Sequence, residues 1–250
     1  MIRKTIITIL FTINVFAITN LEVALKCETV MNGFKDSKSD MIMTLINSNK
    51  QQRQRKMQII TLEKDSGNKS LMTFLSPADV KGTKFLNYEH ITKDDEQWLY
   101  LPALKRVKRI ASKNKSGSFM GSEFSYEDLS SFSVKKYIFE GDAKVEILAG
   151  HKVYVGERKA VSKNSGYTKQ ISWVDTKTFL IKKVEYYDRK QELLKTALFQ
   201  DYKKISGVWR VGKMHMQNHQ NRKSTTLVWT NERIKNGLKE KNFHKRVLKK

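Results

Sequence analysis

From Ser39 onward the apolar residues recur at every second position. Asp40–Asn47 (DMIMTLIN), Met57–Lys64 (MQIITLEK) and Lys69–Leu75 (KSLMTFL) each read as a strand with apolar side chains on both faces. Strands that are greasy on both sides need cover on both sides. A curved sheet with a helix or a ligand on its concave face supplies one cover; ordinary sandwich packing would supply it too. Ser76 and Pro77 suit the start of a single helical turn stopping at Gly82. Thr83–Glu89 and Glu96–Ile110 form the next strands, joined by the acidic turn KDDE.

The second half is a meander. Val134–Phe139, Ala143–Leu148, His151–Val161, Tyr167–Val174, Leu180–Tyr187, Leu194–Tyr202, Val208–Gln217 and Ser224–Trp229 are strand candidates, separated by Gly-, Asn- and Asp-containing turns. About eleven to thirteen antiparallel strands in one domain imply a large, strongly curved sheet.

Ahead of the strands lie two different segments. Met1 to Thr19 carries Arg3 and Lys4, then a short apolar run with small residues behind it, the pattern of a cleaved secretory signal. Cleavage after Ala17 or after Thr19 fits, which implies export. Val23, Cys27, Val30, Met31 and Phe34 then recur at helical spacing and predict one amphipathic helix ending near Gly33. Cys27 follows Ala-Leu-Lys, not the small residue a lipidation site requires, and as the only cysteine it forms no internal disulfide. The expected organisation is a signal at 1–19, one domain at 20–235 and a frayed basic tail at 236–250.

With 48 Lys and Arg against 25 Asp and Glu, the net charge is +23. That favours contact with an anionic surface, whether lipid head groups or nucleic acid, but equally ordinary solubility. The charge is spread along the whole chain and decides nothing by itself.

Function is most legible in Gln97–Asp128, QWLYLPALKRVKRIASKNKSGSFMGSEFSYED. Trp98, Tyr100 and Pro102 alternate with Leu99 and Leu101, giving a strand with an aromatic face. Lys105, Arg106, Lys108 and Arg109 place cations beside Val107 and Ile110. In the segment that follows, Phe119, Met120, Phe124 and Tyr126 sit among glycines and serines, where Gly117 and Gly121 relieve the backbone. Together these suggest a lipid groove with a lid (Trp98, Tyr100, Phe119, Met120, Phe124, Tyr126) and a cationic rim (Lys105, Arg106, Lys108, Arg109) for an anionic head group or membrane surface. Ser125-x-x-Asp128 signals a short helix within the loop.

QWLYLPALKRVKRI with KSGSFMGSEFSYEDL, preceded by SPADVKGTKFL, resembles the outer-membrane lipoprotein-sorting (LolA-like) family over Glu28 to about Lys235. The resemblance implies a mainly β fold. In it a large curved antiparallel sheet forms a half-closed LolA/LolB-like barrel, with an N-terminal amphipathic helix and short helices over the concave face. It also implies a periplasmic carrier of lipid or of an acylated lipoprotein, with an inner-membrane exporter, often of the resistance-nodulation-division type, and an outer-membrane acceptor as partners. No cofactor is implied.

Catalytic and metal signatures are absent from the sequence. Ser118 does not sit in Gly-x-Ser-x-Gly, and no phosphate-cradling loop occurs. His215 and His219 would bind metal together on a helix, but their surroundings alternate as a strand does, which separates them. Asp94, Asp95 and Glu96, contiguous in a turn, read as solvated. Two other readings stay open: a non-catalytic scaffold subunit of an envelope export complex, and a basic polyanion binder, which an export signal disfavours.

Overall fold

In the computed structural model, residues 17–249 are described, and most of the signal segment falls outside them. Helix α1 spans Asn20–Met31. The strands are β1 Asp36–Ile46, β2 Gln52–Leu62, β3 Lys69–Ser76, β4 Lys84–Tyr88, β5 Glu96–Leu101, β6 Arg106–Ile110, β7 Tyr137–Phe139 and β8 Lys144–Leu148. They continue with β9 His151–Ala160, β10 Lys169–Asp175, β11 Ile181–Tyr187, β12 Leu193–Gln200, β13 Lys203–Ile205, β14 Val208–Arg210, β15 Lys213–Asn218 and β16 Ser224–Ile234.

Fourteen strands form one antiparallel sheet ordered β6-β5-β4-β3-β2-β1-β16-β15-β12-β11-β10-β9-β7, with β8 paired to β9. Its two ends do not pair, so the sheet is an open half-barrel. The stretch expected as one strand over Val208–Gln217 is two: β14 pairs with β13 in a separate ribbon, and β15 joins the main sheet. Gly212 marks the break. A Cβ there would stand 2.3 Å from the Asp201 carbonyl oxygen, so the chain can turn at this point only without a side chain.

One face of the sheet feeds a single core. Met41 and Met43 of β1, Met57 of β2, Phe74 of β3, Phe85 of β4 and Leu99 of β5 are buried with Val184, Tyr186, Ala197, Met216 and Leu227 from the far half. Residues so distant along the strand order meet only because the sheet curls around them. Among the described residues no second sheet fills this concavity. The connection between β6 and β7 folds across it, burying Phe119 and Phe124, while α1 covers the neighbouring region through Val23 and Cys27. Thr19 caps α1, accepting from the Glu22 amide at 3.2 Å while the Glu22 carboxylate accepts from the Thr19 amide at 2.8 Å.

The convex face has its own cover, and here an expectation is overturned. Residues 236–250 were expected to be frayed, yet Phe243 and Leu248 are fully buried, packed with Leu86 and Trp98. Glu240 takes ion pairs from Lys64 and Lys69, Tyr88 donates to the Phe243 carbonyl, and Lys245 stands 4.1 Å from the Trp98 ring centre. Isolated apolar residues in a basic tail find an exposed aromatic strip on β4 and β5, and burying that strip outweighs the disorder that composition suggests.

The loop across the open half-barrel

The residues expected to form a groove and lid fall on both faces of the sheet. Trp98 and Tyr100 project to the convex side, under the C-terminal segment, whereas Phe119, Met120, Phe124 and Tyr126 belong to the concave core. The Phe119 ring centre lies 5.1 Å from that of Phe85, 6.0 Å from Phe74 and 5.6 Å from Tyr126. Phe119 has 0% exposure and Phe124 1%, so the loop fills the concavity as core side chains would. Met120 adopts φ 52° and directs its carbonyl to the buried Arg55, whose Nη1 donates to it at 2.6 Å.

Polar contacts fasten the loop. Asp128 pairs with Lys195 and accepts from the Tyr167 hydroxyl at 2.8 Å and the Ser125 amide at 2.6 Å, so the Ser125/Asp128 signal does mark a short helical turn, Tyr126–Leu129. Glu127 accepts from Ser165 Oγ and the Gly166 amide at 2.9 Å each. Burial pushes the Glu127 carboxyl above its ordinary value, with the adjacent Asp128 adding to the effect. Glu89 accepts from the Ser131 amide at 2.8 Å, and burial raises its carboxyl to about 7 against the pull of Lys136 and the Ser131 bonds.

The acidic turn expected to be solvated proves to be a clasp. Asp94 accepts from Ser162 Oγ and Asn164 Nδ2 at 2.6 Å each and pairs with Lys115 at 3.0 Å. Desolvation opposes these contacts, but the bonds from Ser162, Lys115 and Asn164 prevail and hold the carboxyl down at about 2. Asp95 pairs with Lys136 at 2.9 Å and accepts from the His90 amide at the same distance and from Ser130. The β4–β5 connection is thereby tied to both the loop and the β9–β10 connection. Contiguous carboxylates become structural where the sheet edges approach without pairing.

The cations of β6 do not converge. Register sets Arg106 and Lys108 opposite Leu101 and Leu99 on the concave side, and Arg109 opposite Trp98 on the other. Arg109 lies 3.3 Å from Glu96, and Lys105, at φ 48°, occupies the turn before the strand. All are exposed. Among the described residues β6 pairs only with β5, so these charges also guard a free edge against pairing with another chain.

Space beneath the helix is small. Between α1 and β9–β11 the cavity is about 30 Å³, near the room one or two waters need. Asn20 Oδ1 and Ser172 Oγ in its wall have no hydrogen-bond partner among the described residues. His215 and His219 bond separately to Thr226 and Thr196, and no group of three metal-ligating side chains occurs among the described residues.

Arg55, Lys195 and Glu89 are not among the residues expected from the sequence, and Asp128 was expected only as a helix cap. A signal existed for two of them: Arg55 shares strand parity with Met57, and Lys195 with Ala197, so each is a charge in the inward-facing register.

Comparison with known proteins decides the family. Residues 66–250 match a family described only as uncharacterized protein. The chain is 48% identical to a domain from Vibrio parahaemolyticus assigned provisionally as an outer membrane lipoprotein-sorting protein, covering 92% of this chain and 98% of that one, with a TM-score of 0.89. This chain belongs to the family of that outer membrane lipoprotein-sorting domain. A DUF1329 family protein from Desulfovibrio piger is 32% identical over 91% of this chain and 97% of its own, with a TM-score of 0.84. A LolA superfamily protein from Nitrosomonas europaea, 18% identical, shares the fold at a TM-score of 0.75 over 92% and 100% of the two chains. No curated protein matches.

Proposed function

We propose that this LolA-like protein is a non-catalytic periplasmic carrier that takes lipid, or the acyl chains of a lipoprotein, onto the concave face of its sheet. The observation that carries this reading is the cover. An extended apolar concavity is closed by a connecting loop and one helix, with no second sheet, and such a cover can move aside as a unit. The physical need is plain. Each CH₂ moved from hydrocarbon into water costs about 0.8 kcal/mol, so a ~16-carbon chain is opposed by roughly 13 kcal/mol unless a protein shelters it. An inner-membrane donor and an outer-membrane acceptor are the partners such a carrier requires, and the basic surface suits approach to anionic membranes.

A second reading, a scaffold subunit whose concavity is filled by its own side chains, is favoured by the complete burial of Phe119 and Phe124. Mass spectrometry of organic extracts from protein purified without detergent separates the two. The carrier yields co-purified lipid or acylated peptide in near-stoichiometric amount; extracts free of both overturn it.

A further inference from the structure

The open seam of the half-barrel holds a pocket of about 580 Å³, bounded by the β4–β5 connection, the start and end of the loop and the β9–β10 connection. Of its carboxylates, Asp94 and Asp95 are already engaged by Lys115 and Lys136, and Glu127 is buried and accepts from Ser165 and the Gly166 amide. Three further cations remain in the lining: Lys93, Lys135 and Lys163, each exposed and with no carboxylate partner among the described residues. They come from three separate segments and share one pocket, unlike the β6 cations, which diverge to both faces of an edge strand. The pocket wall also includes Ile91, Ile110 and Tyr137, and Ile110 belongs to the core that the loop covers.

We infer that this pocket receives the phosphate-bearing anionic head group of an amphiphile whose chain passes by Ile110 towards the concave face. The inference rests on the carrier reading and assigns the head-group site to Lys93, Lys135 and Lys163, not to β6. Lysine suits the role. Its ammonium is a flexible point charge that meets a phosphate from several directions, and an apolar wall beside the cations lowers the local dielectric and strengthens the attraction. A zwitterionic head group brings its own cation and gains little here.

The test is isothermal titration of the mature protein with dihexanoyl-phosphatidylglycerol kept below its micelle concentration, with dihexanoyl-phosphatidylcholine, and with glycerol 3-phosphate. The expected order is phosphatidylglycerol tightest. The combined Lys93→Gln, Lys135→Gln and Lys163→Gln variant should bind it about tenfold more weakly, a change of ~1.4 kcal/mol. The matched β6 variant (Lys105, Arg106, Lys108 and Arg109 to Gln) should bind as the wild type does. Because the three pocket lysines are exposed and unpaired, circular dichroism should show the variant folded. Unchanged affinity in the pocket variant, or a loss confined to the β6 variant, overturns the assignment. Equal affinity for glycerol 3-phosphate and for the lipid would make this a free-phosphate site and overturn the amphiphile. Should lipid still be recovered in organic extracts, the carrier reading survives either failure.

Discussion

Lys195 and Asp128 form an ion pair of 2.5 Å in which each side chain is only 4% exposed. The pair joins the inward face of β12 to the short helical turn of the covering loop, and Lys195 Nζ also donates to the Glu123 carbonyl at 3.0 Å. Removing one partner of such a pair strands a buried charge, which costs about 3–5 kcal/mol. Asp128→Asn should therefore lower the melting temperature markedly, because the single amide oxygen can replace only one of the two carboxylate oxygens that accept from Ser125 and from Tyr167. Adding Lys195→Met removes the stranded ammonium and should restore part of the loss. Chemical denaturation of both variants and the double mutant gives the coupling; strictly additive losses would show that the pair does not hold the loop.

Glu89 and Asp94 set two separate pH windows. The folded-state carboxyl of Glu89 is raised from 4.5 to about 7, so its protonated form fits the fold better. Its contribution is fully present below pH 4.5 and is lost as pH rises through about 7. Asp94 is held down at about 2 from 3.8, so its contribution is present above 3.8 and lost as pH falls towards 2. Glu89→Gln keeps an acceptor for Ser131 and removes the first window alone. Thermal unfolding should show the variant more stable than wild type at pH 8 and level with it near pH 4.5. Parallel profiles across that range would remove Glu89 as the titrating group.

Much of the fold was legible because strand alternation and turn residues are local properties. Met41, Met43 and Met57, or Leu99 against Trp98, show their faces in the sequence itself. The break at Gly212 was not legible, since it depends on the Asp201 backbone meeting it from another turn. Nor was the docking of Phe243 and Leu248, because a tail with two apolar residues looks disordered until the strip that receives them is known. The site shows the same division. The burial tendency of Phe119 and Phe124 was visible, as was the Ser125 partner of Asp128, but the lysine partners of Asp94, Asp95 and Asp128 lie 21 to 67 residues away, and no spacing rule links them.

Cleavage of the signal is expected after Ala17, not after Thr19. The Ile18 carbonyl accepts from the Ala143 amide at 2.9 Å, and Thr19 caps α1. Losing both would leave the first helical amides without their cap, a change that typically costs about 0.5–2 kcal/mol. N-terminal sequencing of protein from cells should read Ile-Thr-Asn. A sequence beginning at Asn20, or at Met1, would contradict this.

Exposed charges on β6 are suited to a membrane surface, where no fixed geometry is needed. Changing Lys105, Arg106, Lys108 and Arg109 together to Gln should weaken co-sedimentation with vesicles rich in phosphatidylglycerol at low salt. The difference should fade as the screening length falls to about 8 Å at physiological ionic strength. Equal sedimentation at low salt would leave these residues only the role of guarding the strand edge.

Whether the covering loop moves can be decided by fastening it. The Glu123 amide donates to Thr225 Oγ1 at 3.0 Å, so this part of the loop lies directly against β16. Glu123→Cys with Thr225→Cys should form a disulfide between loop and sheet, and the native Cys27, at 3% exposure, is too buried to compete. If the loop is a lid, the oxidised protein should fail to take up a long-chain fluorescent acyl probe and the reduced protein should recover. Point substitution is less decisive. Phe119 is fully buried, so Phe119→Ala is expected to cost about 3–5 kcal/mol in a carrier and in a scaffold alike. Met120→Ala separates them better, because Met120 is partly exposed and contributes its carbonyl, not its side chain, to Arg55. In a carrier it should lose lipid retention with little change in melting temperature. Equal uptake by the oxidised and reduced double-cysteine protein would show that lipid does not enter beneath this loop. Lack of uptake in either state, with lipid-free extracts of the wild type, would leave a concavity filled permanently by Phe119 and Phe124.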